Sequence, residues 1–147
     1  MTMRYVCDVE NDHFQVLLGD SVRGPRVDTR HLWDAGTTIA TLPNEREIVG
    51  LGTVRYGGRV RVVIETCPSL PIAPEGWAEL GAFTLSLPSG DLLLWGPEAE
   101  DMSKAPSVSV GPGTFQCAAY SKGTDAVPDE MAPVGNDEYR IVMARTL

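Results

Sequence analysis

Carboxylates offer the first candidate chemistry in this chain of 147 residues. Glu45 and Glu47 alternate along one side of an extended segment, and Glu98, Glu100 and Asp101 crowd into "GPEAEDMSKAP". Paired carboxylates of this kind could face a sugar or a metal, but carboxylates in loops are for the most part solvated charges. The segment holding Glu98, Glu100 and Asp101 is bounded by Pro97 and Pro106 and joins two strand-like runs. A surface loop is therefore expected, and such loops are where binding residues tend to sit. These three residues are the candidate partner-binding set.

Other constellations fall short of a site. "VGPGTFQCAAY" (110–120) has the glycines of a phosphate-cradling loop, which needs a strand before it and a helix start after it. Here "SVSV" precedes and "TFQCAAY" follows, both strand-like, so the segment reads as a tight turn. Pro112 would sit at its first central position and Gly113, free to take positive φ, at the next. Ser21, His31 and Asp34 could be assembled as a triad, yet no G-x-S-x-G elbow occurs. Cys7, Cys67 and Cys117 are far apart, contain no C-x-x-C pair, and have neither His13 nor His31 placed to complete a zinc site. Free structural thiols and no metal or cofactor are expected. Trp33, Trp77 and Trp95 could stack on a carbohydrate, but their apolar or strand-forming neighbours favour packing.

The positioning elements read as strands. In "GGRVRVVIET", Val60, Val62 and Ile64 take one side while Arg61 and Glu65 take the other. That period of two marks a half-buried strand. Gly57-Gly58, with positive φ open to both, predicts a two-residue hairpin joining 48–56 to 59–66. Phe83, Leu85 and Leu87 alternate again, and Pro88-Ser89-Gly90 predicts a second hairpin turning at Ser89-Gly90 into Leu92 to Trp95. Further strands are expected at 4–9, 14–18, 37–41, 107–110, 114–120 and 139–144. Helix signals are limited to single turns near 74–80 and in "TRHLWDAG", where Gly36 would cap. The expectation is one all-β domain over 1–147, an antiparallel sandwich of about ten short strands, or a closed barrel.

Charge narrows the partners. Twelve Lys and Arg against twenty Asp and Glu give a formal charge of −8 and a pI near 4.6. A nucleic-acid backbone asks for clustered cations, so no nucleic-acid partner is expected; a basic protein suits the balance better. No run approaches the ~20 apolar residues of a membrane helix. "MTMRYVCDVENDHF" lacks the basic and apolar regions of a signal peptide, so cytoplasmic residence is the expectation.

A family pattern overlies these elements. "EGWAELGAFTLSLPSGDLLLWGP", then "APSVSVGPGTFQCAAY", then "NDEYRIVM", with "HFQVLLGDS" and "HLWDAG" upstream, resemble in order and spacing the competence protein J-like family of small β-rich bacterial proteins. Most of the chain is covered, by turns and strand edges. The resemblance implies an inhibitor of a DNA-entry nuclease, acting by protein–protein contact and not by catalysis. Two segments depart from the family pattern: "AEDMSKAP" has no aromatic, and a Trp-Thr-Asp-Glu helix start is reduced to Trp33-Asp34-Ala35. The leading expectation is an acidic binding module for a basic partner such as a nuclease or toxin. A small-molecule-binding barrel or sandwich and a carboxylate-based enzyme are the alternatives.

Overall fold

Alternation along the chain becomes two facing sheets in the computed structural model, which describes residues 2–34, 38–54, 56–70, 73–99, 101–124 and 137–146. The strands are β1 (Met3–Glu10), β2 (Gln15–Asp20), β3 (Ile39–Leu42), β4 (Glu45–Gly52) and β5 (Arg59–Cys67). They continue as β6 (Ala78–Leu87), β7 (Asp91–Trp95), β8 (Ser107–Ser109), β9 (Gly113–Lys122) and β10 (Glu138–Arg145). One five-stranded sheet runs β1-β5-β10-β9-β6 and the other β3-β4-β2-β7-β8. The helical elements that can be bounded are the 3₁₀ turns Gly24–Arg26 and Met102–Lys104. The all-β fold expected from the period-two pattern is the fold observed. Gly36 and Thr37, expected to cap a turn and open a strand, lie outside the described residues.

Two expected hairpins are corrected. Gly57-Gly58 separates β4 from β5, and Ser89-Gly90 separates β6 from β7, but each pair of strands is split between the two sheets. The turns cross the sandwich instead of closing a ladder. Alternation specifies which side chains face the core, and a strand can satisfy that requirement in either sheet. At the second turn the crossing is held by Asp20, which accepts from the Ser89 backbone N–H at 2.8 Å and its hydroxyl at 2.6 Å. The Gly90 carbonyl accepts from Val110 N–H at 2.9 Å and Gly111 N–H at 3.0 Å, tying it to the glycine loop that also crosses between sheets, from β8 to β9. At the first turn only Gly58, with φ of 84°, takes the left-handed conformation. In the glycine loop Gly111 joins Gly113 in positive φ, at 88° and 150°. A tight connection within one sheet does occur at Pro43-Asn44, between β3 and β4.

The sheets are not wholly antiparallel either. β10 pairs parallel to β5, with Tyr139 opposite Val62 and Ile141 opposite Ile64. Val60, Val62, Ile64, Phe83, Leu85 and Leu87 are all buried as the pattern predicts, and they form one cluster with the inward residues of β2, β4, β7, β9 and β10. The second sheet is covered on its outer face as well. Leu17, Leu32, Ile48, Leu93 and Trp95 pack there under Val27, Trp33, Ala99, Met102 and Ala105. Burial on both faces explains why Leu92 to Trp95 is continuously apolar and not alternating.

Candidate functional site

β1 is an edge strand of the first sheet, and β8 and β7 form the facing side of the second. At one end of this side the Tyr5 hydroxyl donates to the Ser109 carbonyl at 3.2 Å, holding the two edges together. Toward the end of β1 the edges part, and the connection from β7 to β8 lies against Asp8 to Asp12. The gap is a cleft of about 610 Å³.

Its charge comes from two places far apart in sequence. Asp8, Glu10 and Asp12 descend from β1 and the residues after it, and Glu98 and Asp101 come from the connection after β7. Five carboxylates (those just named) thus face two cations, Arg59 and Lys104, among the described lining residues. Arg59 stands opposite Glu10 across the β1–β5 ladder, so the balance of the cleft remains acidic. Leu94, Trp95 and Gly96 line the same cleft. Gly96 is required by close approach: a Cβ there would meet Asp12 Oδ2 at 2.5 Å and the Glu10 carbonyl at 2.8 Å.

Apolar anchors set the acidic connection in place. Ala99, Met102 and Ala105 pack against the cluster around Trp95, while Asp101, Ser103 and Lys104 are exposed. Asp101 caps the short 3₁₀ turn, accepting from Ser103 N–H at 3.0 Å and Ser103 hydroxyl at 2.5 Å. The hydroxyl bond and then the backbone bond hold the Asp101 carboxyl below its ordinary range, so it is an anion at neutral pH. Glu98 Oε1 lies 3.7 Å from His13 Nδ1.

Of the three residues singled out from sequence, Glu98 and Asp101 line one cleft, and Glu100 lies outside the described residues. Asp8, Glu10 and Asp12 were missed. Their signal is present in "DVEND", where acids recur at every second position and so share the outward face of a strand. What a single strand does not reveal is the loop that folds against it from some ninety residues later.

The remaining candidates are placed as follows. His31 Nδ1 sits 3.0 Å from Asp34 Oδ2 in an exposed pair, whereas the Ser21 hydroxyl meets Ser89 at 3.3 Å, so the three do not form a triad. Glu47 approaches Arg23 at 3.7 Å and Glu45 is exposed beside it in β4. Trp95 is buried, Trp33 donates to Gln15 Oε1 at 2.6 Å, and Trp77 lies under Lys122 and Arg140 at 5.4 and 5.6 Å. Trp33 and Trp95 share the apolar cluster on the outer face of the second sheet, and Trp77 packs on a separate one. The cysteines are free; burial pushes Cys117 up to about 12 and raises Cys7 and Cys67, which keeps these thiols poorly nucleophilic. No helix among the described residues is long and apolar enough to cross a membrane.

No protein-family model matches the chain, and no curated protein matches it in sequence. Solved structures do share its architecture. The crocagin biosynthetic gene J product superposes with a TM-score of 0.68 at 15% identity, over 100% of this chain and 99% of that one. ComJ from Bacillus subtilis, an inhibitor of the DNA-degrading activity of NucA, superposes with a TM-score of 0.67 at 13% identity, over 99% of each chain. The resemblance carried by turns and strand edges is thereby met at the level of fold: this chain has a ComJ-like fold from end to end.

Proposed function

We propose that this protein is a binding protein that docks, through the acidic cleft between β1 and the β7–β8 connection, on a basic partner of the nuclease class and inhibits it. The observation that carries the reading is the convergence of Asp8, Glu10, Asp12, Glu98 and Asp101 on one opening. Clustered carboxylates attract a cationic surface over a distance, raise its encounter rate and select against acidic competitors. A site that binds the phosphate backbone of DNA is itself cationic, so an acidic surface competes with DNA for it. The fold shared with a NucA inhibitor supports the same reading. On this reading the cleft binds and does not catalyse.

A DNA-degradation assay tests it, with the purified protein titrated against a panel of basic nucleases that includes NucA. Inhibition is expected at ~0.1 M salt and should fade toward ~1 M, where the screening length drops from ~10 to ~3 Å. The combined variant Asp8→Asn, Glu98→Gln, Asp101→Asn should lose most of it. Absence of inhibition across the panel, or inhibition indifferent to these three carboxylates, overturns the proposal.

A further inference from the structure

Asp12 and Gln15 close a two-residue turn by exchanging both backbone hydrogen bonds, at 3.2 and 3.0 Å. Its central residues are His13 and Phe14, with φ of 51° and 62°. A turn that is left-handed at both central positions normally holds Asn and Gly, because a Cβ is crowded there. Among the described residues these are the two non-glycine positions with positive φ. The strain gains nothing for the core: Phe14 is 40% exposed. Such outliers cluster at active sites, ligand clamps and switch regions.

What is presented is an aromatic patch. Tyr56, also exposed, meets Phe14 edge-on with ring centroids 5.6 Å apart and His13 at 4.9 Å. The Tyr56 hydroxyl and His13 Nε2 are 3.1 Å apart, and exposed Val54 belongs to the same loop. The loops are bolted to the sandwich: Thr53 N–H donates to the Phe14 carbonyl at 2.8 Å, and Val54 N–H to the Tyr139 hydroxyl at 3.0 Å. Asn11 N–H donates to the Gly58 carbonyl at 2.8 Å. Rings held this way lose little freedom on binding.

The patch is continuous with the acidic cleft. Glu98 reaches His13, and a hollow of about 240 Å³ beside Asn11 and Gly58 shares Glu10, Asp12 and Arg59 with the cleft. We propose that His13, Phe14, Val54 and Tyr56 are the apolar anchor of the docking surface. Its occupant is a basic protein segment carrying an arginine beside an aliphatic residue. The guanidinium is drawn by the flanking carboxylates and by the ring faces, and the aliphatic side chain packs on Phe14. The inference rests on the docking reading above and adds the chemistry of the partner.

The test titrates the ¹⁵N-labelled protein with a short peptide of alternating Arg and Leu, and with its counterpart carrying Ser for Leu. The Arg–Leu peptide is expected to shift the amides of His13, Phe14 and Tyr56 together with those of Glu98 and Asp101, and to bind more tightly than the Arg–Ser peptide. Phe14→Ala should weaken it roughly tenfold. The double variant His13→Asn, Phe14→Gly should also bind weakly, yet melt at a higher temperature than wild type because its turn is relaxed. Equal binding of the two peptides, with shifts confined to the carboxylates, overturns the anchor and leaves the docking reading standing. Shifts confined to the aromatic residues remove the cleft from the surface and keep the anchor. Melting of the Asn-Gly variant below wild type overturns the strain on which the inference is built.

Discussion

Asp20 is fully buried and still charged, a combination that only its four hydrogen bonds make tolerable. Val22 and Arg23 donate backbone N–H groups at 3.1 and 2.9 Å, and Ser89 donates both its N–H and its hydroxyl. Burial pushes the carboxyl upward, and the Ser89 hydroxyl with the three backbone donors pulls it down by more, leaving it below 3.8. A depressed folded pKa means the unfolded chain binds the proton more readily, so stability falls as the solution is acidified. The Asp20 contribution is complete above the unfolded value of 3.8 and is lost as pH drops through the folded value. Asp20→Asn should cost about 1–3 kcal/mol at neutral pH, because an amide supplies a donor where only acceptors fit. Urea denaturation should show this deficit shrinking below pH 3.8. A deficit that stays constant down to the acid limit would mean the carboxylate charge plays no part.

Elements show what alternation reveals and what it conceals. Leu85 is buried as its alternating neighbours predict, and Leu85→Ala should cost ~2–5 kcal/mol by equilibrium unfolding. Sheet membership is different, since a turn that closes a hairpin and a turn that crosses a sandwich ask for the same small residues. The deciding contacts are long-range: Asp20 to Ser89, and Gly90 to the loop at Gly111. Two glycines test their weight. Gly90 and Gly76 have nearly equal φ, +80° and +82°, but a Cβ on Gly90 would meet Pro112 N at 2.7 Å and one on Gly76 would meet nothing within 4 Å. Gly76→Ala should cost only the backbone term, about 1–2 kcal/mol. Gly90→Ala should cost clearly more, because the two crossovers must also move apart. Equal losses in thermal or urea unfolding would show that the junction of the crossovers yields freely. The same contrast governs the candidate site: Glu98 and Asp101 were legible from a proline-bounded loop, while Asp8, Glu10 and Asp12 were not singled out, because acids at every second position also suit the solvent face of any strand. Their meeting depends on β1 and β7 lying on the same side of the sandwich, which depends on crossovers that local sequence does not encode.

At the scale of the whole molecule, a formal charge of −8 would draw a cationic partner from any direction if it were spread evenly. Among the described residues, the cleft gathers five carboxylates (Asp8, Glu10, Asp12, Glu98, Asp101) with Arg59 and Lys104 around one opening. Glu98 is two-thirds exposed at its side chain, and Asp101 is exposed as well, so in the proposed complex both would be rim charges, which govern encounter more than residence. The triple variant Glu98→Gln, Glu100→Gln, Asp101→Asn isolates this contribution while leaving Asp8 and its neighbours on β1 unchanged. With a nuclease that the assay above finds inhibited as partner, the expected result is a lower kon at low salt and little change in koff. The gap between variant and wild type should close as salt approaches ~1 M and the screening length falls to ~3 Å. Stopped-flow association at several salt concentrations reads both quantities. Asp101 also caps the Met102–Lys104 turn through Ser103, so the Asn there must be shown by unfolding to keep the fold. A kon unchanged at low salt in a folded variant removes the β7–β8 connection from the proposed docking surface and leaves β1 to carry it.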